Sequence, residues 1–177
     1  MPNYRRYYIE GGIYFFTVNL LQRHGNDLLT RHIDLLREAV RKVKKAHPFV
    51  IHAFVVLPEH LHCVLELPAG DDNFSLRWRL IKTEFAKSLP LTERRSAVRV
   101  RRGERGIWQR RFWKHAIRDE ADYIAHINYV HINPVKHGLV RCVKDWSHST
   151  FHRLVQQGVY SLDWAGSDNI EQLDYDD

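Results

Sequence analysis

Short apolar runs separated by amphipathic stretches extend over most of the chain. The first run follows two glycines and reads IYFFTVNL over residues 13–20, a β-branched and aromatic composition that predicts a strand. Two more apolar runs, residues 50–57 and 61–67, are separated by a short connection and predict a hairpin in the middle of a sheet. Residues 112–118 alternate apolar and polar side chains, which predicts a fourth strand.

Three stretches between and after these runs have helical periodicity. The first spans residues 30–47, with Thr30 as its candidate N-cap, and the second spans residues 74–89. The third begins after a cap at Asp119 and continues past Tyr129. The basic side chains of the second helix are expected to face solvent: Arg77, Arg79, Lys82 and Lys87.

The elements follow the order β-α-β-β-α-β, and a further helix comes after them. This order predicts an α+β fold, a ferredoxin-like sandwich whose antiparallel sheet carries helices on one face and leaves the other available for a ligand. We expect a single domain over residues 1–166, with Trp146, Phe151 and Trp164 docking the end of the chain onto the body. Residues 167–177 are acidic and sparsely apolar, which predicts a disordered tail.

The composition adds a basic charge to this picture. Lys and Arg total 27 against 21 acidic residues, and the formal net charge of +6 favours a polyanionic partner. Residues 91–106 are especially basic and are interrupted by glycines. We expect this segment to be a mobile loop, because its cations repel one another.

Cysteine usage and the start of the chain bear on localisation. Only two cysteines occur, and Cys63 falls in an apolar run where a reduced, buried thiol is ordinary. We therefore expect no disulfide framework and a cytoplasmic protein. The first residues contain no apolar run resembling a signal peptide, and no segment is long enough to cross a bilayer, so we expect neither secretion nor membrane insertion.

A pair of histidines at the start of the third predicted strand is the sharpest local feature. Strand alternation sends His60 and His62 to one face and the apolar Leu61 and Cys63 to the other, which places the histidines on the less buried side. Two neighbouring neutral imidazoles can chelate a divalent cation, although the pair needs a third ligand. Since the chain has 12 histidines, a chance pair of surface residues is the alternative interpretation.

A tyrosine and an asparagine near the end of the third predicted helix have complementary chemistry. Tyr129 and Asn133 are four residues apart and share one side of the helix. A phenol can attack a phosphodiester, and an amide oxygen is a hard ligand suited to Mg²⁺ or Mn²⁺. A tyrosine at such a position is also commonly a core residue. Asn133 precedes Pro134 and is therefore expected just beyond the regular helix.

Several ordered motifs resemble one known family over nearly the whole chain. The segments are YRRYYIEGG, LPEHLHCVLELP, IWQRRFWKHAIRD, YVHINPVKHGLV and DWSHSTFH, and they resemble the REP-associated tyrosine transposases. These enzymes belong to the HUH single-tyrosine transposases, which cut and rejoin single-stranded DNA. The resemblance implies a catalytic helix after the sandwich, Tyr129 as nucleophile, and Mg²⁺ or Mn²⁺ held by His60, His62 and Asn133.

The resemblance also implies a reaction and a substrate. Tyr129 would attack a scissile phosphate, leaving a 5′-phosphotyrosine link and a free 3′ hydroxyl. The implied partner is single-stranded DNA that folds into a repetitive extragenic palindromic hairpin with a flanking tetranucleotide, and the implied enzyme is a monomer. The candidate DNA contacts are basic and aromatic residues spread over the chain: Tyr4, Arg5, Arg6, Arg79, Lys82, Trp108, Arg110, Arg111, Lys136 and His137.

Two other functions use the same features. A ferredoxin-like sheet with aromatic and basic residues is also typical of single-stranded nucleic-acid-binding modules without catalysis, in which Tyr129 would be structural. A metal-dependent hydrolase could activate water through His60, His62 and a carboxylate such as Glu66, without any tyrosine.

Overall fold

A four-stranded antiparallel sheet forms the centre of the protein. The computed structural model describes residues 9–91 and 95–164. Its strands are β1 (Ile13–Asn19), β2 (Val50–Val56), β3 (His60–Glu66) and β4 (Trp113–Ala116). They lie in the order β2-β3-β1-β4, and every pair is antiparallel. The predicted α+β, ferredoxin-like arrangement is confirmed.

Helices cover both faces of this sheet. They are α1 (Leu28–Arg31), α2 (Ile33–Ala46), α3 (Phe74–Ser88), α4 (Ala97–Arg101), α5 (Glu120–Lys136) and α6 (Phe151–Gln156), and a 3-10 turn spans Val143–Asp145. The cores under α2 and α3 and under α5 and α6 are separate clusters. Among the helices that the structure describes, none is both long and apolar enough to span a membrane.

The covered second face corrects the expectation of an open sheet. Phe15, Ala53, Val55 and Val64 project from the strands towards α5 and are fully buried. The strands thus bury apolar side chains on both faces of the sheet, which requires a layer of helices on each side. A ligand-binding surface spread over a bare sheet is therefore excluded.

The first predicted helix is interrupted, and its expected cap is wrong. Helix α1 ends at Arg31 and α2 begins at Ile33, and His32 between them belongs to neither helix. Thr30 lies inside α1, where its hydroxyl donates to the carbonyl oxygen of Asp27 instead of accepting a backbone N–H. The first amide of α1, that of Leu28, donates to the side chain of Asn26.

Arg77 also differs from its prediction, because it is buried rather than solvent-facing. Its guanidinium donates to the carbonyl oxygens of His47 and Pro48 and forms an ion pair with Asp71, with an N–O distance of 2.7 Å. A guanidinium with five donors can satisfy several acceptors at once, so it ties α3 to the loop that enters β2.

The described part of the basic segment after α3 has regular structure, instead of forming a loop whose cations repel one another. It contains α4, which is capped by Ser96 through a hydrogen bond from the Arg99 amide. Arg105 donates to the carbonyl oxygens of Ala86, Leu89 and Pro90. These carbonyls lie at the C-terminal end of α3, where helix carbonyls lack intrahelical partners, so this cation binds acceptors instead of repelling its neighbours. The prediction of a mobile loop was wrong for the described part of this segment.

Helix α5 is longer than the local sequence predicts. Asp119 caps it as expected, accepting a hydrogen bond from the Asp122 amide at 2.8 Å. The helix then continues through Pro134, so Asn133 is helical, contrary to prediction. Both residues are buried, and this packing outweighs the local bias against a helical residue before proline. Asn133 thereby keeps its helical relation to Tyr129.

The end of the described chain docks onto the second face of the sheet, as predicted. The Trp146 indole donates to the Val56 carbonyl oxygen at 3.0 Å, and Phe151 is fully buried. Trp164 packs against Phe151 and Tyr160. The predicted acidic tail lies outside the described residues.

Candidate active site

The histidine pair lies at the start of β3, beneath α5. His60 is 1% exposed and His62 is fully buried, and their rings meet edge to face with centroids 4.8 Å apart. The alternation that places both on one face is confirmed, but this face is not the less buried one because α5 covers it. A pair of solvated surface histidines is therefore excluded.

Each histidine of the pair is held through its Nδ1 atom. His60 Nδ1 lies 2.8 Å from a Glu59 carboxylate oxygen, and His62 Nδ1 lies 2.8 Å from the Thr17 hydroxyl. This leaves Nε2 as the ligand atom of each ring, and His60 Nε2 is buried without a hydrogen bond among the described residues. Metal-binding histidines have this arrangement, with one nitrogen on the ion and the other oriented by a carboxylate or hydroxyl.

The Glu59 carboxylate is stabilised in its charged form. Burial acts to raise its pKa, but hydrogen bonds from His60 and Arg23 outweigh burial and lower the pKa to about 2. A charged carboxylate behind His60 makes that imidazole a better donor to a cation.

Tyr129 lies directly against this pair. Its ring contacts His62 edge to face at 5.4 Å between centroids and packs in the same way on Phe15 at 5.7 Å. The ammonium group of Lys136 lies 5.2 Å from the centre of the Tyr129 ring. The Tyr129 ring is therefore in contact with one candidate metal ligand, His62, and near a positive charge.

Asn133 in α5 and His137 just after it add two possible metal ligands to the histidine pair. Asn133, one turn after Tyr129, is fully buried, and neither atom of its amide has a hydrogen-bond partner among the described residues. His137 lies just beyond the helix, and its ring centroid is 5.1 Å from that of His60. The ligand nitrogens of His60, His62 and His137 all lie within 4.8 Å of one another.

The sequence interpretation assigned His137 to DNA contact and missed its place beside the metal pair. The available signal was its spacing, since His137 follows Tyr129 by eight residues and Asn133 by four, which places all three on one side of a helix. The donors fit a divalent cation: imidazoles suit first-row transition metals, and an amide oxygen suits the harder ions.

The predicted DNA-contacting residues separate into distinct groups. Arg79, Trp108 and Arg111 line a cleft with a volume of about 1000 Å³ between α3 and residues 103–114. Lys82 also lines it but donates to the Gln109 carbonyl oxygen at 2.9 Å, and burial lowers its pKa to about 8. Arg110, at the same cleft, pairs with Glu104 at 3.0 Å.

The other predicted contacts lie elsewhere. Lys136 accompanies Tyr129, and His137 accompanies the histidine pair. Tyr4, Arg5 and Arg6 lie outside the described residues.

Glu66, the carboxylate of the hydrolase alternative, is at the wrong end of the strand. It bonds to His52 at 2.7 Å, and it lies four positions after His62 in the strand, about 13 Å at 3.3 Å per residue. Helix α5 covers the sheet face that the binding-module alternative requires to be open. A hydrolase that uses Glu66 and a binding module with an open sheet face therefore both lack the geometry that they require.

Comparison with known proteins identifies the family. No protein-family model matches the chain. The REP-associated tyrosine transposase of Escherichia coli (strain K12) is 53% identical over 166 residues, which cover 94% of this chain and 92% of that protein. The chain belongs to the REP-associated tyrosine transposases. A relative from Haemophilus influenzae strain Rd that carries the same family name is 43% identical over 97% of both chains.

A solved structure confirms the fold of this REP-associated tyrosine transposase. That structure, a REP-associated tyrosine transposase bound to a REP hairpin, matches with a TM-score of 0.80 and 52% identity over 94% of this chain and 93% of the other. Membership of the family makes the protein an enzyme that acts on DNA.

Among the tyrosines that the structure describes, Tyr129 is the one whose ring contacts the histidine pair. The hydroxyls of Tyr14, Tyr123 and Tyr160 form hydrogen bonds with Ile9, His52 and Asn128, respectively. Tyr129 has its ring against His62.

Proposed function

We propose that this transposase cleaves and rejoins single-stranded DNA beside REP hairpins through a covalent link between Tyr129 and a 5′ phosphate. The observation that carries the proposal is the contact of the Tyr129 ring with His62, inside a cluster of three histidines. A nucleophile and a set of cation ligands in one buried place are the two parts that such chemistry needs.

The residues of the site have separate roles in this reaction. His60, His62 and Asn133, with His137 as an additional donor, would hold a divalent cation, which would supply positive charge at the scissile phosphate. The Tyr129 oxygen attacks phosphorus and loses its proton, the bond from phosphorus to the 3′ oxygen breaks, and that oxygen leaves as a hydroxyl after gaining a proton. The Lys136 ammonium, 5.2 Å from the centre of the Tyr129 ring, offsets negative charge that develops beside that ring. Attack by the 3′ hydroxyl on the phosphotyrosine reverses the reaction.

The donor atoms of the site bear on the choice of metal, and the DNA bound to a relative bears on the substrate. The ion is Mn²⁺ or Mg²⁺, and the imidazole donors favour Mn²⁺, because Mg²⁺ prefers oxygen ligands and retains its waters. The substrate is a DNA hairpin with a single-stranded flanking tetranucleotide. A relative of 52% identity is bound to a REP hairpin, and the net charge of +6 suits such a polyanion. We propose a monomeric, cytoplasmic enzyme.

Mass spectrometry of the covalent adduct tests the proposal. The protein is incubated with Mn²⁺ and a hairpin oligonucleotide that carries a single-stranded flank, and the linked residue is located after digestion. We expect the adduct on Tyr129, and no adduct but retained DNA binding in Tyr129→Phe, since only one oxygen is removed.

Tyr123→Phe is the matched control for this experiment. Tyr123 is on the same helix, but its hydroxyl is 2.9 Å from His52 Nδ1 and remote from the histidine cluster. This variant should form the adduct normally. Cleavage by Tyr129→Phe, or an adduct on another residue, would refute the assignment.

A further inference from the structure

The cleft between α3 and residues 103–114 has the composition of a site for an unstacked base. We call it the aromatic cleft and define it by Trp78, Trp108, Phe112, Arg79, Arg111 and Lys114. Phe112 and Trp108 are half-buried, so part of each ring is open to the cleft. Rings at the wall of a cleft with cations at its rim are the elements by which proteins bind single-stranded nucleic acid.

Two indole N–H groups at this cleft have no hydrogen-bond acceptor among the residues that the structure describes. The Nε1 atoms of Trp78 and Trp108 are both buried, and neither has a partner among the described residues. Buried indole N–H groups normally have a hydrogen-bond acceptor, because a buried donor without one destabilises the fold. Both residues line the same cleft, so an occupant with acceptor atoms would satisfy donors that the protein does not.

The charge of the cleft favours an anionic occupant. Glu104 is its acidic residue among the described lining residues, and it is paired with Arg110. Arg79 and Arg111 are exposed at the rim, and the Lys114 ammonium lies 4.4 Å from the centre of the Phe74 ring. A base on the aromatic wall would therefore have its phosphates beside cations.

The cleft is adjacent to the histidine pair through the end of β1. Trp108 forms an isolated bridge with Leu20, and the Gln109 amide donates to the Asn19 carbonyl oxygen at 3.0 Å. Asn19 is paired with His60 in the sheet. The aromatic cleft lies on the α3 side of the sheet and the histidine pair on the α5 side, and the end of β1 connects them.

We propose that the aromatic cleft binds an unstacked base from the single-stranded flank of the DNA substrate. The half-buried Phe112 ring stacks on the base, the indole N–H groups donate to its acceptor atoms, and Arg79 and Arg111 contact the adjacent phosphates. Duplex DNA does not fit, because its bases are stacked on one another and cannot enter a concave aromatic site. This inference rests on the proposed function and specifies which part of the substrate the cleft binds.

Coupling between a tryptophan variant and an abasic nucleotide tests the proposal. Hairpin oligonucleotides with one flank nucleotide at a time made abasic are bound to Tyr129→Phe protein, with and without Trp108→Phe, and affinities are measured by fluorescence anisotropy. We expect one flank position whose abasic form binds about 10-fold more weakly to the protein that retains Trp108. Trp108→Phe should weaken the intact oligonucleotide about fivefold, the effect of one hydrogen bond, and the abasic form much less.

Trp146→Phe is the matched control, because its indole donates to Val56 and lies outside the aromatic cleft. It should change neither affinity. Trp78→Phe is a second test of the same coupling, and circular dichroism verifies that each variant is folded.

The two proposals fail separately. Purely additive effects of Trp108→Phe and every abasic substitution would overturn the base-binding role, even if wild-type protein forms the Tyr129 adduct. Coupling at one flank position without any adduct would retain the cleft and refute the proposed chemistry.

Discussion

Replacing Thr17 with valine tests whether His62 binds a cation through Nε2. Thr17 is on β1 opposite His62, is 3% exposed, and its hydroxyl lies 2.8 Å from His62 Nδ1. A neutral imidazole that binds metal through Nε2 carries its proton on Nδ1 and donates it, here to the threonine oxygen. Valine has nearly the same shape but offers no acceptor.

The expected effect of Thr17→Val is large enough to measure by calorimetry. Loss of a hydrogen-bond partner behind a ligating histidine weakens metal binding by about 10- to 100-fold. In free energy this is about 1.4–2.7 kcal/mol at 25 °C. The fold itself should lose about 1–3 kcal/mol, because the imidazole Nδ1 remains buried without its partner.

Isothermal titration of Mn²⁺ into the folded proteins measures the metal affinity separately from the loss of stability. Thr30→Val is the matched control, since the Thr30 hydroxyl bonds to Asp27 in α1 and touches no candidate ligand. Thermal unfolding with added Mn²⁺ gives a second measure, because stabilisation by a ligand falls as its dissociation constant rises. Wild-type Mn²⁺ affinity in Thr17→Val would refute the assigned ring orientation.

Three further predictions concern the metal ligands, the start of α5 and the charge. Alanine at Asn133 or at His137 should each lower Mn²⁺ affinity by about tenfold or more in the same titration, and an unchanged affinity removes that residue from the ligand set. Burial raises the Asp122 pKa, but hydrogen bonds from His115 and Arg118 outweigh it and lower the pKa to about 2. Asp122→Asn should therefore cost about 2 kcal/mol at pH 7. This difference persists above about pH 4 and shrinks as the pH falls towards 2, because the unfolded carboxyl is protonated first; urea unfolding that shows the same difference at pH 7 and near pH 2 would contradict it. Hairpin binding should weaken about tenfold for each doubling of salt if four phosphates are contacted, and anisotropy that is insensitive to salt would contradict this.

The sequence predicted the elements whose signals are local. Strand alternation placed His60 and His62 together, and helical spacing placed Tyr129 and Asn133 together, because both periodicities are properties of short segments. The cap at Asp119 was found for the same reason. Their meeting across the sheet and α5 depended on the family resemblance, since no local pattern specifies which face a distant helix covers.

The features that the sequence could not supply are tertiary. Arg77 was predicted to face solvent, and Arg105 was predicted to belong to a loop of mutually repelling cations. Each instead donates to backbone carbonyl oxygens that only the folded chain brings close. Asn133 precedes a proline and is nevertheless helical, because burial of the helix outweighs a local preference. His137 was predicted to contact DNA because it is close in sequence to the nucleophile, whereas the fold places it beside His60.

Phe15 packs against both His62 on β3 and Tyr129 on α5, and its replacement tests whether this packing aligns the nucleophile with the metal ligands. Phe15 lies on β1 with its ring 5.7 Å from both the His62 and the Tyr129 rings, so it fixes the helix residue relative to the strand residue. Phe15→Leu should lower the single-turnover cleavage rate at saturating DNA by up to about 100-fold, since small misplacements of a nucleophile are that costly. Phe49→Leu is the matched control: Phe49 is also buried, but it belongs to the core cluster under α2 and α3, away from the histidine pair. Both variants should lose about 1–2 kcal/mol of stability. Equal losses of cleavage in the two variants would mean that general destabilisation, rather than alignment of Tyr129 with the histidines, limits the reaction.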